Sequence, residues 1–529
     1  MNATPSTILG FHELARQYPD KLALICEPAG ERISYGQLNA QANRVAHGLR
    51  SLGVDDGDCI AICLPNGTAL VTAILAAQRI GIYFTLLSPK ATVGDVNYIL
   101  TDSGSRALLC LAAMDSALAQ TNAAALCQRK VCSQDAAAPG DWERLLASQS
   151  DELPPQAKPG MEMIYSSGTT GRPKGIRRAF HCKTWGEVDS RNVEAMRWLA
   201  GSPGSVYLST SPMYHSAPYR YLCAFLDAGA TSIIMDHFDA ELSLTLIDRY
   251  GVTHSLWVPT MFQRILRLDE ARRAAYSGTT MTHAIHGAAP CPQPVKKAII
   301  DWWGPVVYEY YSGTEGVGRT FINATEWLAH PGSVGKPSHC KVHILDEQDK
   351  PLPAGQTGRI FFESPVTFVY WNDEEKTRSA IRPQGWRTFG DIGLVDDDGY
   401  LYLTDRSGFM VISGGVNLYP QEVENTLLLL PEVLDAAVFG VPDEDLGEKL
   451  VAVIQLADAA EGTPERGAEK ANEILAHCRS HGGSLKTPRL IRFCTDFPRL
   501  DTGKVQKRFL RDQVLREPQP WAMSGPLVG

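Results

Sequence analysis

The stretch Tyr165 to Gly175, YSSGTTGRPKG, places four small hydroxyl side chains, three glycines, an arginine and a lysine in one short run. That composition suits phosphate. Glycines such as Gly168 and Gly171 let the backbone take positive φ, so consecutive N–H groups can point into one concavity. Ser166, Ser167, Thr169 and Thr170 add donors that rotate to fit oxygens, and Lys174 supplies charge. The run is not a P-loop. That pattern needs Gly-Lys-Ser/Thr with a helix directly behind it, whereas here Pro173 separates Arg172 from Lys174 and Gly175 follows. Composition alone would favour a solvated linker; the complete string argues against one.

Six further stretches carry residue types that could do chemistry. YEYYSGTEG, Tyr308 to Gly316, combines aromatic faces with one carboxylate, although a Tyr-rich turn standing alone would be an ordinary surface hairpin. HGAAPCP has small side chains at Gly287, Ala288 and Ala289, which admit a ligand close to the backbone or simply make a tight turn. PMYHSAP holds His215, and a lone histidine is more often structural than functional. WRTFGDIGLVDDDGYLYLTDR carries Asp391 and, fifteen residues on, Arg406. Past it, Gly414 and Gly415 in FMVISGGVN suit a hairpin turn, and DTGK sets Lys504 behind a flexible Thr-Gly, ahead of Lys507, Arg508 and Arg511. Taken alone, that basic cluster is a solvated face.

In order and over nearly the whole chain, these stretches resemble the adenylate-forming superfamily of acyl-CoA synthetases, peptide-synthetase adenylation domains and luciferases. The wording is nearest to bacterial fatty-acid or steroid-acid CoA ligases. The resemblance implies an AMP-forming ligase that uses ATP, Mg2+ and coenzyme A. It converts a carboxylic acid to acyl-AMP and then to a thioester. Tyr311 then matches the adenine-stacking position, Thr314 the α-phosphate contact and Glu315 the magnesium ligand, with Glu309, Tyr310 and Ser312 in the same nucleotide segment. Gly287 to Ala289 match the segment beneath adenine and acyl group, His215 the carboxylate and thiol path, and Asp391 and Arg406 the ribose contacts. Lys504 matches the lysine that neutralises carboxylate and α-phosphate, and the Gly414–Gly415 hairpin the wall of the CoA tunnel. Two departures stand out. The usual Thr-Gly-Asp reads Thr-Phe-Gly-Asp, with Phe389 inserted, and the usual charged hinge residue is Gly408. A plain, bulky, hydrophobic acid is expected, since no acidic residue between Ser209 and Phe225 could hold an amino group and Trp257 and Val258 are apolar. A carrier-protein loader and a non-catalytic nucleotide-binding relative remain as alternatives.

The elements that must position these residues are legible in outline. A chain of 529 residues exceeds one ordinary core. From Ser34, whose capping box closes on Gln37, helix and strand alternate. Strands are expected at CIAICL, IYFTLL and ALLCLA, a helix from Thr68 to Gly81, and a surface connection from Ser133 to Pro159. A strand at MEMIY would end at the phosphate loop. VYLST, TSIIM and HSLWVP are strands around helices near Tyr221 and from Ala240 to Gly251, and the segment from Val342 to Ser364 alternates like antiparallel hairpins, a β-rich lobe of its own. The fold class is therefore α/β: a large domain of doubly wound, mixed or parallel sheets over residues 1–405 with that β-rich lobe, a hinge at 406–408, and a small mobile α+β domain over 409–529. The net charge of −9 argues against nucleic-acid partners. Twelve cysteines without metal-ligand spacing suggest reduced thiols in the cytoplasm, and no apolar run predicts a transmembrane segment. The sequence is silent on oligomeric state.

Overall fold

The computed structural model describes residues 8–119, 130–133, 141–166, 173–178, 184–406, 409–414, 416–463, 466–499 and 505–516. Two large sheets and one small one organise them. In the seven-stranded sheet, Cys59–Cys63, Tyr83–Leu86, Ser105–Leu111, Lys130–Ser133 and Met161–Ser166 run parallel. Their near-continuous apolar runs fit strands covered on both faces. Met161–Ser166 then pairs antiparallel with Lys174–Arg177, so the phosphate-type stretch starts where the sheet changes from parallel to antiparallel pairing. The Tyr35–Ser51 helix begins with the expected reciprocal Ser34–Gln37 capping box and buries Leu38, Ala42, Val45 and Leu49.

The thirteen-stranded sheet repeats that plan. Strands Leu22–Glu27, Thr231–Met235, Val206–Ser209, His254–Trp257, His283–His286 and Val307–Ser312 are parallel neighbours in that order. Val307–Ser312 pairs antiparallel with Arg319–Asn323 on its other side. The turn between them therefore leaves the carboxyl end of the last parallel strand, where open α/β sheets place their ligands.

Two expectations are revised. The helix from Thr68 stops at Ala77, short of Gly81, because Ile80 is already paired with Lys158 in a parallel bridge. The 133–159 connection contains a helix, Asp141–Ser148, whose Trp142 and Leu146 pack on the amino-terminal core. The strands Lys341–Leu345 and Gly358–Glu363 are antiparallel as expected and, with Ser333–Pro337, Asp391–Val395 and Leu401–Arg406, form a β-rich lobe that continues the thirteen-strand path.

The third sheet is built from residues after Arg406. Val433–Asp443 and Gly447–Leu456 form a long antiparallel pair, with Leu490–Cys494 parallel beside it. Alternation sorts their side chains. Val438, Leu450, Ala452 and Ile454 face the helices Pro420–Leu427 and Gly467–Gly482, whereas Ala437, Phe439, Val451 and Val453 face Lys507–Arg516. Glu424, buried in the first of these helices, accepts hydrogen bonds from Lys507 Nζ (2.6 Å) and Val438 N (2.6 Å). Burial pushes the Glu424 carboxyl up to about 7 against the pull of the ammonium.

A carboxyl raised in this way binds its proton more tightly folded than unfolded. Its contribution is fully present below the unfolded value and declines as pH rises through about 7. Lys507→Met removes the counter-charge. It is expected to destabilise the carboxyl-terminal part by roughly 3 kcal/mol at pH 8 and by clearly less at pH 5.5, where the carboxyl takes up a proton. Calorimetric melting at the two pH values checks this.

Candidate active site

The carboxyl ends of the two large sheets face one cavity of about 2120 Å³. Ser166, His215, Ala288, Tyr310, Ser312, Thr314, Glu315 and Asp391 all line it. The turn 313–318 is its centre. Ser312 Oγ donates to Gly318 O (2.7 Å) and closes the turn, and a Cβ at Gly318 would lie 2.0 Å from the Phe362 ring, so only glycine fits there. Glu315 is 9% exposed, and its Oε1 accepts a hydrogen bond from the Tyr370 hydroxyl at 2.7 Å. Thr314 Oγ1 lies 3.5 Å from Ser216 Oγ, at the first residue of the helix Ser216–Asp227. His215 is the N-cap of that helix, its ring beside Tyr214.

Arg220, one turn into the same helix, anchors the turn from below. Its Nη2 donates to Thr314 O (3.1 Å) and to Glu162 Oε1 (3.0 Å). Glu162 sits buried in the strand Met161–Ser166 and also pairs with the buried Arg178. The sequence reading missed Glu162, Arg220 and Tyr370. Its one available signal was a lone glutamate inside the otherwise apolar MEMIY.

The Tyr311 hydroxyl donates to Asp391 Oδ2 at 2.6 Å, and the Tyr311 ring meets Phe389 edge-on with centroids 5.8 Å apart. Asp391 is paired across the sheet with Arg406, which closes its strand. The inserted Phe389 lies against Gly313, where a Cβ would come within 2.4 Å of its ring. Ala288 holds φ +69°, a left-handed conformation uncommon for alanine, on the cavity wall.

Other expected residues are placed differently. Glu309 is turned away from the cavity into a buried ion pair with Lys296 Nζ (2.6 Å), 3.9 Å from His286 Nε2. Burial and the Lys296 ammonium hold that imidazole well below its usual range, hence neutral. Gly287 is small for the sake of Tyr310, whose ring and carbonyl would both be 2.7 Å from a Cβ there, and Ala289 does not line the cavity. Lys174 is ion-paired with Asp373, the N-cap of the helix Glu374–Ser379, and its charge is thereby engaged. Gly414, at φ +57°, donates its N–H to Leu446 O and is not part of the cavity wall. Ser167, Gly168, Thr169, Thr170, Gly171, Gly408, Gly415 and Lys504 lie outside the described residues. Arg499 and Gln506, on either side of the Lys504 segment, do line the cavity.

Residues 11–371 match the family model described as AMP-binding enzyme, and residues 422–504 match its C-terminal domain. This chain belongs to the AMP-binding enzyme family. It is 31% identical to a feruloyl-CoA synthase of Amycolatopsis sp over 94% of this chain and 96% of that protein. It is 30% identical to the long-chain-fatty-acid–CoA ligase FadD13 of Mycobacterium tuberculosis, over 93% and 95% of the two chains. The ATP-bound MatB structure from Rhodopseudomonas palustris superposes with a TM-score of 0.83 at 27% identity, covering 95% of this chain and 98% of that one.

The hold of Arg220 on the Thr314 carbonyl fixes the 313–318 turn on the cavity wall, which makes it a test of whether AMP binds at that turn. Arg220→Met leaves Glu162 paired with Arg178 but frees the turn. AMP binding measured by calorimetry should weaken about tenfold, in keeping with loss of one charge-assisted hydrogen bond, and the melting temperature should fall because buried Glu162 loses one of its two cations.

Proposed function

We propose that this one cavity carries both halves of a two-step ligation, with the residues divided as described here. The chain is an AMP-forming acid–thiol ligase, which uses ATP to convert a carboxylic acid to an acyl adenylate and passes the acyl group to coenzyme A. The observation that carries the division of roles is the 313–318 turn, gripped by Arg220 and Tyr370 at the carboxyl end of the last parallel strand.

In the first step a carboxylate oxygen of the acid attacks the α-phosphorus of ATP, and pyrophosphate leaves with the electron pair of the broken P–O bond. Thr314 offers its hydroxyl to the α-phosphate, and the 166–171 stretch offers N–H and hydroxyl donors to the phosphates beyond it. Tyr311 packs against the adenine, while Asp391, already oriented by the Tyr311 hydroxyl, accepts hydrogen bonds from the ribose hydroxyls and Arg406 donates to the same sugar. Magnesium fits Glu315, a buried carboxylate whose Oε1 accepts from the Tyr370 hydroxyl and which no lysine or arginine pairs with among the described residues. When bound, the ion neutralises charge on the transferring phosphates. Among the described residues no cluster of three or more His, Cys, Asp or Glu could hold a metal unaided, which suits an ion shared with phosphate oxygens and water.

Lys504 adds an ammonium where carboxylate and α-phosphate approach. The flanks of its segment already line the cavity, as this half-reaction requires. In the second step the CoA thiolate attacks the acyl carbonyl and AMP departs. Since Gly414 stands off the cavity wall, the Gly414–Gly415 hairpin reaches it only when the 409–529 domain turns about residues 406–408. His215 lies on the path between acid and thiol. We place the enzyme in the cytoplasm. The nine cysteines whose side chains are described are all free thiols, and among the described residues no helix is long and apolar enough to cross a membrane.

The reaction is tested with a panel of acids, ATP and CoA, following pyrophosphate release separately from AMP-dependent thioester formation. Lys504→Ala should lose adenylation by roughly 2.7 to 4 kcal/mol of barrier while thioester formation from supplied acyl-AMP persists; equal loss of both halves refutes the assignment. Glu315→Gln keeps the shape but removes the charge. The magnesium concentration needed for half-maximal rate should rise steeply, and an unchanged requirement would move the metal elsewhere.

A further inference from the structure

Beyond the nucleotide end, the cavity wall differs from the apolar one expected from Trp257 and Val258. Those two side chains and Met261 do line it, and so do Arg319, Tyr310 and Tyr221. Arg319 stands directly opposite Ser312 in the antiparallel pair that flanks the 313–318 turn, and Tyr310 lies two residues before Ser312 on the same face. The guanidinium lies over the Phe321 ring (5.4 Å), and Phe321 is itself stacked on Trp198. Tyr221 reaches the same wall from the helix Ser216–Asp227, its ring 5.6 Å from that of Tyr310.

Among the described residues these three polar groups have no hydrogen-bond or ion-pair partner. Arg319 accepts bonds only through its backbone carbonyl, from Ser338 N and Cys340 Sγ, and its side chain makes no ion pair or hydrogen bond. The hydroxyls of Tyr221 and Tyr310 are likewise unbonded, although both residues are more than nine-tenths buried. Two other charges near this wall are already engaged. Arg220 is held by Glu162 and Thr314 O, and Glu194 by Ser338 Oγ (2.6 Å) and His339 Nε2 (3.4 Å). A partly buried guanidinium without a counter-ion is costly, and five fixed N–H donors beside two phenols match a planar oxyanion. Closing a hydrocarbon tail over them would strip their water and return no hydrogen bond.

Building on the ligase reading above, we propose that Arg319, with the Tyr221 and Tyr310 hydroxyls beside it, binds a second carboxylate on the acid, at the end opposite the one that is activated. The substrate class is then a dicarboxylic acid whose apolar middle lies along Trp257, Val258 and Met261. Discrimination arises because a site built to hydrogen-bond rejects the analogue that leaves its polar groups unpaired.

The test compares kcat/KM for α,ω-dicarboxylic acids and monocarboxylic acids matched in chain length, in the full-length wild type, Arg319→Met and the Tyr221→Phe/Tyr310→Phe double variant. Wild type should favour a diacid at least tenfold. Arg319→Met should lose about 10- to 100-fold on that diacid while its rate on the monoacid holds or rises. The double variant should shift the same ratio several-fold in the same direction, and it carries the test should Arg319→Met fail to fold. Proportional loss on both acid types would make Arg319 merely structural, and a wild-type preference for the monoacid would remove the second-carboxylate subsite; either overturns the inference and leaves the ligase intact. Absence of pyrophosphate release and of thioester formation with every acid would overturn the ligase reading itself, and this inference with it.

Discussion

A carboxylate placed inside an apolar strand must be answered by positive charge, and Glu162 is answered twice. Removing one ion from water costs several kcal/mol, so Glu162 constrains wherever its cations come from. One, Arg178, directly follows the next strand of its own sheet; the other, Arg220, comes from a helix packed on the neighbouring sheet. Because the Arg220 guanidinium also holds Thr314 O, the electrostatic need of a strand in one sheet sets the position of a turn in the other. The cavity exists where these obligations meet.

Both large sheets solve the same geometric problem in the same way. Each has a strand with a parallel neighbour on one side and an antiparallel one on the other: Met161–Ser166 in the first, Val307–Ser312 in the second. At such a junction the chain must reverse at once. It does so at the carboxyl end, where exposed N–H groups and ligands collect. Ser166, where the phosphate-type stretch begins, and the Thr314–Glu315 turn thus stand at equivalent carboxyl ends in the two sheets, and both line one cavity.

This explains which parts of the molecule were readable from the sequence. YSSGTTGRPKG and YEYYSGTEG could be recognised because short reversals at a junction demand glycine and hydroxyl residues in fixed order. The Ser34–Gln37 box and the αL stop at Gly251 were legible for the same reason: each is settled by residues within one turn. What escaped depends on partners far along the chain. Glu309 and Lys174 carry suitable chemistry in suitable motifs, yet Lys296 and Asp373 engage them, and no local pattern announces that. The Arg319 wall was hidden likewise, since its meaning lies in there being no carboxylate paired with that guanidinium among the described residues, and the sequence has carboxylates in plenty elsewhere.

The fit of Phe389 against Gly313 couples two positions. Any side chain at 313 would meet the Phe389 ring, and the Glu315 carboxylate would lie 2.6 Å from its Cβ. Gly313 needs no positive φ, so its neighbours and not its backbone exclude a side chain. Bulk at 313 would therefore push on the ring and on the carboxylate at once, and the bare backbone there is what lets both keep their places.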